Sequence, residues 1–129
     1  MTDSTRTAIT AYLDALNAHD ADRAAACVAS GFVNEHTAAG AVSLVGRAAY
    51  REALDGFLAD FEQLAYTPEA IIADGRRCAV PYRMTALVRS AGGRRIEVRG
   101  VFVFTVDGAG LLERRVDYWD SGEVARQLG

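Results

Sequence analysis

The chain contains no lysine, so all 14 of its basic side chains are arginine. Without a side-chain amine, catalysis through a Schiff base is excluded. Soft metal ligands are scarce too: two cysteines, Cys27 and Cys78, and two histidines, His19 and His36. The cysteines lie far apart and match no metal or redox spacing, and the histidines form no HxxxH pair. No built-in metal site is therefore expected, and each cysteine reads as a small buried hydrophobe. No apolar run approaches the roughly 18 residues of a membrane span. The opening MTDSTRTAIT lacks the basic start and apolar core of a secretory leader. The expectation is a soluble, cytoplasmic protein. Like charges do not gather into blocks, and net charge is −3. The pairs Arg76–Arg77, Arg94–Arg95 and Arg114–Arg115 fall at turns or in strands and read as solvated faces. Neither a nucleic-acid nor a membrane partner is expected.

What is present fits one domain over residues 1–129, half of it apolar and about a quarter charged. Asp3 or Ser4 can cap a first helix, whose Ile9, Tyr12, Leu13 and Leu16 repeat at helical spacing. Asp20 caps a second, Ala-rich helix over residues 21–28, stopped by Ser30-Gly31. Residues 32–37 form a short strand with Phe32, Asn34 and His36 on one face. A loop rich in Ala and Gly runs to Gly46 as a mobile rim. Residues 47–64 give the strongest helix, with Tyr50, Ala53, Leu54, Phe57, Leu58 and Phe61 in one stripe. Strands follow at 66–73, 77–89, 94–106 and 111–119, separated by turn signals such as Asp74-Gly75 and Asp107-Gly108. Asp120 then caps a last short helix with Glu123 as its box partner. Helices followed by a meander of strands define an α+β class: three N-terminal helices on a curved, mostly antiparallel sheet. One helix layer leaves the sheet's other face open, which favours a homodimer through the sheet.

The candidate chemistry lies in DYWD, residues 117–120. A carboxylate in an apolar cavity has its pKa raised by desolvation, which suits proton transfer near neutral pH. Arg83 on a neighbouring strand could orient Asp117. Strand alternation leaves the direction of both open: Asp117 shares parity with Glu113, Arg115 and Trp119, and Arg83 with Arg77 and Arg89, unless a bulge changes the count. His36 is a candidate proton shuttle, Asn34 a polar neighbour, and Tyr12 a hydroxyl donor to a substrate oxygen. Trp119, Phe57, Phe61, Tyr66, Phe102 and Phe104 would supply an apolar lining, suited to a ring-forming or fused-ring ligand.

The segments YLDALNAHDADRAAACV, GRAAYREAL, IEVRGVFVF and DYWD, with the terminal QLG, make the chain resemble the SnoaL-like family of the nuclear transport factor 2-like superfamily. That resemblance implies a cone-shaped α+β half-barrel with a pocket at its mouth. Relatives include polyketide cyclases and limonene-epoxide hydrolases, acting without a cofactor. In the cyclases an Asp on the last strand is the general acid/base, and Asp117 matches it. In the epoxide hydrolases an Asp–Arg–Asp triad adds water. Asp117 and Arg83 match two members, but the second acid falls at Thr85, which cannot serve as one. In the ketosteroid isomerases a Tyr on the first helix holds an oxyanion, and Tyr12 matches it, while the oxyanion acid falls near the apolar Phe102. The expected function is acid/base chemistry on a hydrophobic, oxygenated small molecule, most closely a polyketide-type cyclisation. Epoxide hydrolysis and a non-catalytic binding or dimerisation module are the alternatives.

Overall fold

The computed structural model describes residues 2–129. Helix α1 spans Thr2–Asn17 and buries Ile9, Tyr12, Leu13 and Leu16, the stripe its periodicity predicts. It begins earlier than expected, so Asp3 and Ser4 sit within its first turn. Helix α2, Ala21–Ala26, is capped by Asp20, whose carboxylate accepts the Arg23 backbone N–H at 3.0 Å. It ends short of Val28 because β1 starts there: Val28–His36 forms the strand, and Val28 pairs with Leu112. A register shift between Val28 and Val33 lets the chain pass Ser30-Gly31 without leaving the sheet. The two-residue β2, Leu44–Val45, pairs back onto β1.

Helix α3 covers Arg47–Asp60, four residues shorter than its apolar stripe suggests. Phe61 already belongs to β3, Phe61–Pro68, where it pairs with Val88. The stripe runs on because the helix end and the strand start face the same interior. Gln63, with φ of 55°, lies in the register shift of the β3–β5 pairing between Glu62 and Ala65. Pro68 ends β3, which is an edge strand, as a residue without a backbone N–H permits. The expected strand over 66–73 is thus two pieces, β3 and the short β4, Ile72–Asp74, both paired with β5.

Strands β5 (Arg77–Val88), β6 (Arg94–Val106) and β7 (Leu112–Tyr118) form the antiparallel meander, with a single 3-10 turn at Arg89–Ala91. The sheet order is β2-β1-β7-β6-β5-β3, and β1 lies parallel to β7. The result is an open, mostly antiparallel mixed sheet carrying four helices, in the expected α+β class. Ile9, Tyr12, Leu16, Phe32, Phe102 and Phe104 meet in the core between α1 and the sheet. Asn17 locks α1 to β3: its side chain donates to the Tyr66 carbonyl at 2.9 Å and accepts the Tyr66 N–H at 2.7 Å.

Helix α4, Ser121–Leu128, closes the chain. Asp120 caps it through the Gly122 N–H at 2.8 Å, but no reciprocal box forms. Glu123 instead accepts from Arg126 and Gln127 on its own helix. No helix among the described residues is long and apolar enough to cross a membrane. The outward face of the sheet exposes Arg83, Arg95, Glu97 and Arg99, beside half-buried Ala79, Pro81, Val101 and Val103.

Candidate active site

A cavity of about 460 Å³ opens between α3, the inner face of the sheet, the 41–44 loop and α4. Its wall is mostly apolar, with Leu54, Phe57, Phe61, Met84, Ile96 and Val98 among the lining residues. Asp117 is the one carboxylate among the described lining residues. It is 5% exposed, and its backbone is held just past the end of β1, where the Thr37 N–H donates to the Asp117 carbonyl at 3.1 Å.

The direction of Asp117 follows from a bulge. Between Thr105 and Val106 the β6–β7 register shifts, so Thr105 pairs with Arg114 and Val106 with Leu112. Leu112 faces the core, Glu113 and Arg114 turn outward, and Arg115 and Asp117 both turn inward. Simple alternation across 112–119 would have put Leu112 and Asp117 on opposite faces. The extra residue places both inside.

Three groups surround the carboxyl. Tyr82 on β5 donates its hydroxyl to Asp117 Oδ1 at 2.6 Å. Arg115, two residues back, contributes charge. His36 Nδ1 lies 3.7 Å from Oδ2. Burial raises the Asp117 pKa, while the Arg115 charge and the Tyr82 hydrogen bond oppose the rise. Burial and the neighbouring Arg115 charge pull His36 down to about 4, so at neutral pH it is uncharged and its approach to Asp117 is no ion pair. Its tautomer is defined as well. Trp119 Nε1 can only donate, and it meets His36 Nδ1 at 3.1 Å, so the ring proton sits on Nε2.

Arg115 is the second centre. Its guanidinium is buried, with Nε donating to Asn34 Oδ1 at 3.0 Å and Nη1 to the Tyr12 hydroxyl at 2.8 Å. It lies 5.0 Å from the Phe102 ring centroid. No carboxylate of the described residues comes within 4.0 Å of it. Burial works against its charge but is outweighed by the oxygens of Tyr12, Tyr50 and Asp117, so it remains a cation. Tyr12 and Tyr50 share a short hydroxyl–hydroxyl hydrogen bond, and burial raises both phenols.

Of the residues expected from sequence, Asp117, His36, Asn34, Phe57, Phe61, Tyr66 and Trp119 line the cavity. Five expected residues do not, Phe104 among them, since it is fully buried in the core. Arg83 is on the outer face, its side chain 52% exposed and its Nε 4.0 Å from Glu97, because β5 keeps strict alternation and Tyr82 and Met84 take the inward positions. Thr85 shares that outer face, paired in register with Glu97. Phe102 is fully buried beneath the floor, stacked on Tyr82 with centroids 4.3 Å apart. Tyr12 is fully buried behind Tyr50. Tyr82, Arg115 and Tyr50 take their places. Parity could have found Arg115: it is two residues from Asp117, so an inward Asp117 brings it inward. Among the described residues no cluster of three His, Cys, Asp or Glu could hold a metal ion.

The SnoaL-like domain model matches residues 9–114, most of the chain, and the chain belongs to that family. No match to curated proteins reaches significance. Among solved structures, a candidate polyketide cyclase from Xanthomonas campestris pv. campestris superposes with a TM-score of 0.90 at 20% identity, covering 99% of this chain and 98% of that one. The epoxide hydrolase/cyclase-like enzyme SalBIII, which takes part in pyran ring formation in the polyether salinomycin, gives 0.83 at 21% identity over 95% and 97%. An LEH-like epoxide hydrolase from M. tuberculosis gives 0.84 at 23% identity over 98% and 90%. These likenesses establish the nuclear transport factor 2-like fold.

Proposed function

We propose that the protein is an acid/base enzyme, needing no cofactor, that closes a ring in a hydrophobic, oxygenated small molecule of polyketide type. The observation that carries this reading is Asp117: a single carboxylate, its pKa raised by burial, in an apolar cavity and oriented by Tyr82. A carboxyl group tuned upward can both take and return a proton near neutral pH.

Two ring closures fit this apparatus. In an aldol closure Asp117 takes a proton from carbon next to a carbonyl. The enolate carbon then bonds to a second carbonyl carbon, and the new alkoxide recovers the proton from Asp117. In an epoxide opening, an internal hydroxyl gives its proton to Asp117 as its oxygen bonds to an epoxide carbon. The epoxide C–O bond breaks, and the released alkoxide takes up a proton. Each is an isomerisation with no added reagent. Hydrolysis of the limonene-epoxide type is less well supported, because it calls for a second acid. Thr85, where the family pattern would put it, lies outside the cavity, and Asp117 is the sole lining carboxylate among the described residues.

The test is Asp117→Asn against a panel of linear poly-β-ketones and hydroxy-epoxides. Turnover should fall by about 10²–10⁴-fold while binding of the same compounds persists. Turnover equal to the unaltered protein would remove the assignment, and a protein that binds the panel but never turns it over would instead be a binding module. The reading extends to a homodimer through the outer sheet face, where Ala79, Pro81, Val101 and Val103 are half-buried in a single chain. Sedimentation showing only monomer would remove that part.

A further inference from the structure

The cavity has a second polar pole, and the direction of its hydrogen bonds can be worked out. Arg115 can only donate, so at Tyr12 the phenol oxygen accepts from Nη1. Tyr12 is fully buried, and its one hydroxyl partner besides Arg115 is the Tyr50 hydroxyl. Were Tyr50 the donor in that pair, the Tyr12 proton would be stranded in the core, which folded proteins avoid. The proton therefore runs from Tyr12 to Tyr50.

Tyr50 lines the cavity and has already accepted from Tyr12. Its own proton meets no acceptor among the described residues. Arg115 lines the cavity as well, and its Nη2 meets no acceptor among the described residues. Two donors thus remain unspent in the wall of a mostly apolar chamber. A buried cation with no carboxylate within 4.0 Å stands behind both. A chain of hydrogen bonds that starts on a cation polarises each hydroxyl along it, so the terminal proton is the most acidic.

We propose that Tyr50, as the outward end of a one-way relay from Arg115 through Tyr12, together with Arg115 Nη2, forms an oxyanion site. It holds the substrate oxygen that becomes negative as Asp117 moves its proton. The ligand class is a carbonyl that enolises, a phenol, or an epoxide whose oxygen is released as alkoxide. This assignment rests on the acid/base reading for its catalytic meaning, but the donor site itself does not depend on turnover. Donors fixed where charge develops stabilise it without reorganisation, which is what an oxyanion site requires.

The experiment is equilibrium binding of 2-naphthol, followed by its absorbance from neutral to alkaline pH, with naphthalene as the uncharged control. In the unaltered protein, bound naphthol should ionise at a lower pH than free naphthol. Naphtholate should therefore bind more tightly than the neutral compound by about tenfold, the scale of one charge-assisted hydrogen bond. Tyr50→Phe should abolish that preference while naphthalene affinity stays within about twofold, which also reports an intact cavity. Tyr12→Phe, which cuts the relay behind Tyr50, should reduce the preference without abolishing it. Retention of the full preference in Tyr50→Phe would overturn the proposal. So would equal loss of naphthol and naphthalene binding, or no naphtholate preference in the unaltered protein. If Asp117→Asn kept turnover but naphtholate binding behaved as stated, the acid/base reading would fall and the oxyanion site would stand.

Discussion

Gly100 sits directly across the β5–β6 ladder from Tyr82, and only a glycine there lets the Tyr82 phenol reach Asp117. A Cβ at Gly100 would lie 2.6 Å from Tyr82 Cζ and 2.7 Å from the Tyr118 carbonyl oxygen. Neither can give way cheaply: one is a ring stacked on Phe102 and packed edge-to-face with Tyr66, and the other is backbone. The glycine is thus a vacancy on the strand that the phenol occupies.

Gly100→Ala should accordingly destabilise the fold by about 1–3 kcal/mol, the usual cost of overpacking. It should also separate Tyr82 from Asp117. Chemical denaturation measures the first effect, and the shift of the Tyr82 ring resonances the second. An alanine variant with unchanged stability and unchanged Tyr82 resonances would contradict the contact.

Asp117→Asn carries a pH signature independent of any substrate. The folded-state pKa of Asp117 is raised by burial above its ordinary value of 3.8. Between the unfolded and folded values the folded chain binds the extra proton, so this group's contribution to stability falls as pH rises through that window. The asparagine variant lacks that loss. Its stability relative to the unaltered protein should be flat below the ordinary carboxylate value, climb as pH rises, and level off above the folded pKa. Thermal melts from acid to neutral pH check this. Activity should fall by about 10²–10⁴, the range for removing a general acid/base group.

His36 bears the opposite sign. Burial and Arg115 hold it at about 4, below its ordinary 6.5, so the folded chain binds fewer protons between those values. Its contribution to stability rises with pH across the window. Nitrogen NMR should find the Nε2–H tautomer at pH 7 and a titration midpoint near 4. Trp119→Phe, which removes the indole donor to Nδ1, should let the other tautomer appear. A midpoint near 6.5 would contradict both the burial and the charge argument.

The fold was largely legible because its signals are local. The stripe Ile9, Tyr12, Leu13, Leu16 is a helix face whatever surrounds it, and Asp20 caps because its side chain reaches Arg23 in sequence. Helix α3 misled only at its end, where Phe61 continues the stripe after the backbone has turned into β3. The site was legible in part. Phe32, Asn34 and His36 were placed on one face by alternation and do share it, and DYWD stood out through Asp117. What failed was pairing across strands. Arg83 and Arg115 are the same residue type, but strict alternation along β5 turns Arg83 outward, while the bulge between Thr105 and Val106 turns Arg115 inward on the same side as Leu112. That bulge depends on how β6 and β7 fit together, which neither strand's own sequence states. Tyr12, the hydroxyl-donor candidate, and Tyr50, a member of the α3 apolar stripe, belong to separate helices. Their order, one behind the other, is set by how α1 and α3 pack.

Tyr82→Phe separates the inward network from the outward one. The Tyr82 hydroxyl holds Asp117 Oδ1 at 2.6 Å and is one of the two influences that restrain the rise in its pKa. Hydrogen bonds to a charged group contribute about 1.5–3 kcal/mol, so losing this one should weaken the acidity of Asp117 by about tenfold or more. Carbon NMR of the labelled Asp117 carboxyl reads this directly, with the midpoint moving to higher pH. Arg83→Gln should leave that midpoint in place and change stability by no more than about 0.5 kcal/mol, since Arg83 is exposed and its contact with Glu97 is a surface one. If Arg83→Gln moved the Asp117 midpoint and Tyr82→Phe did not, the orienting partner would be the arginine expected from sequence and not the phenol found beside the carboxyl.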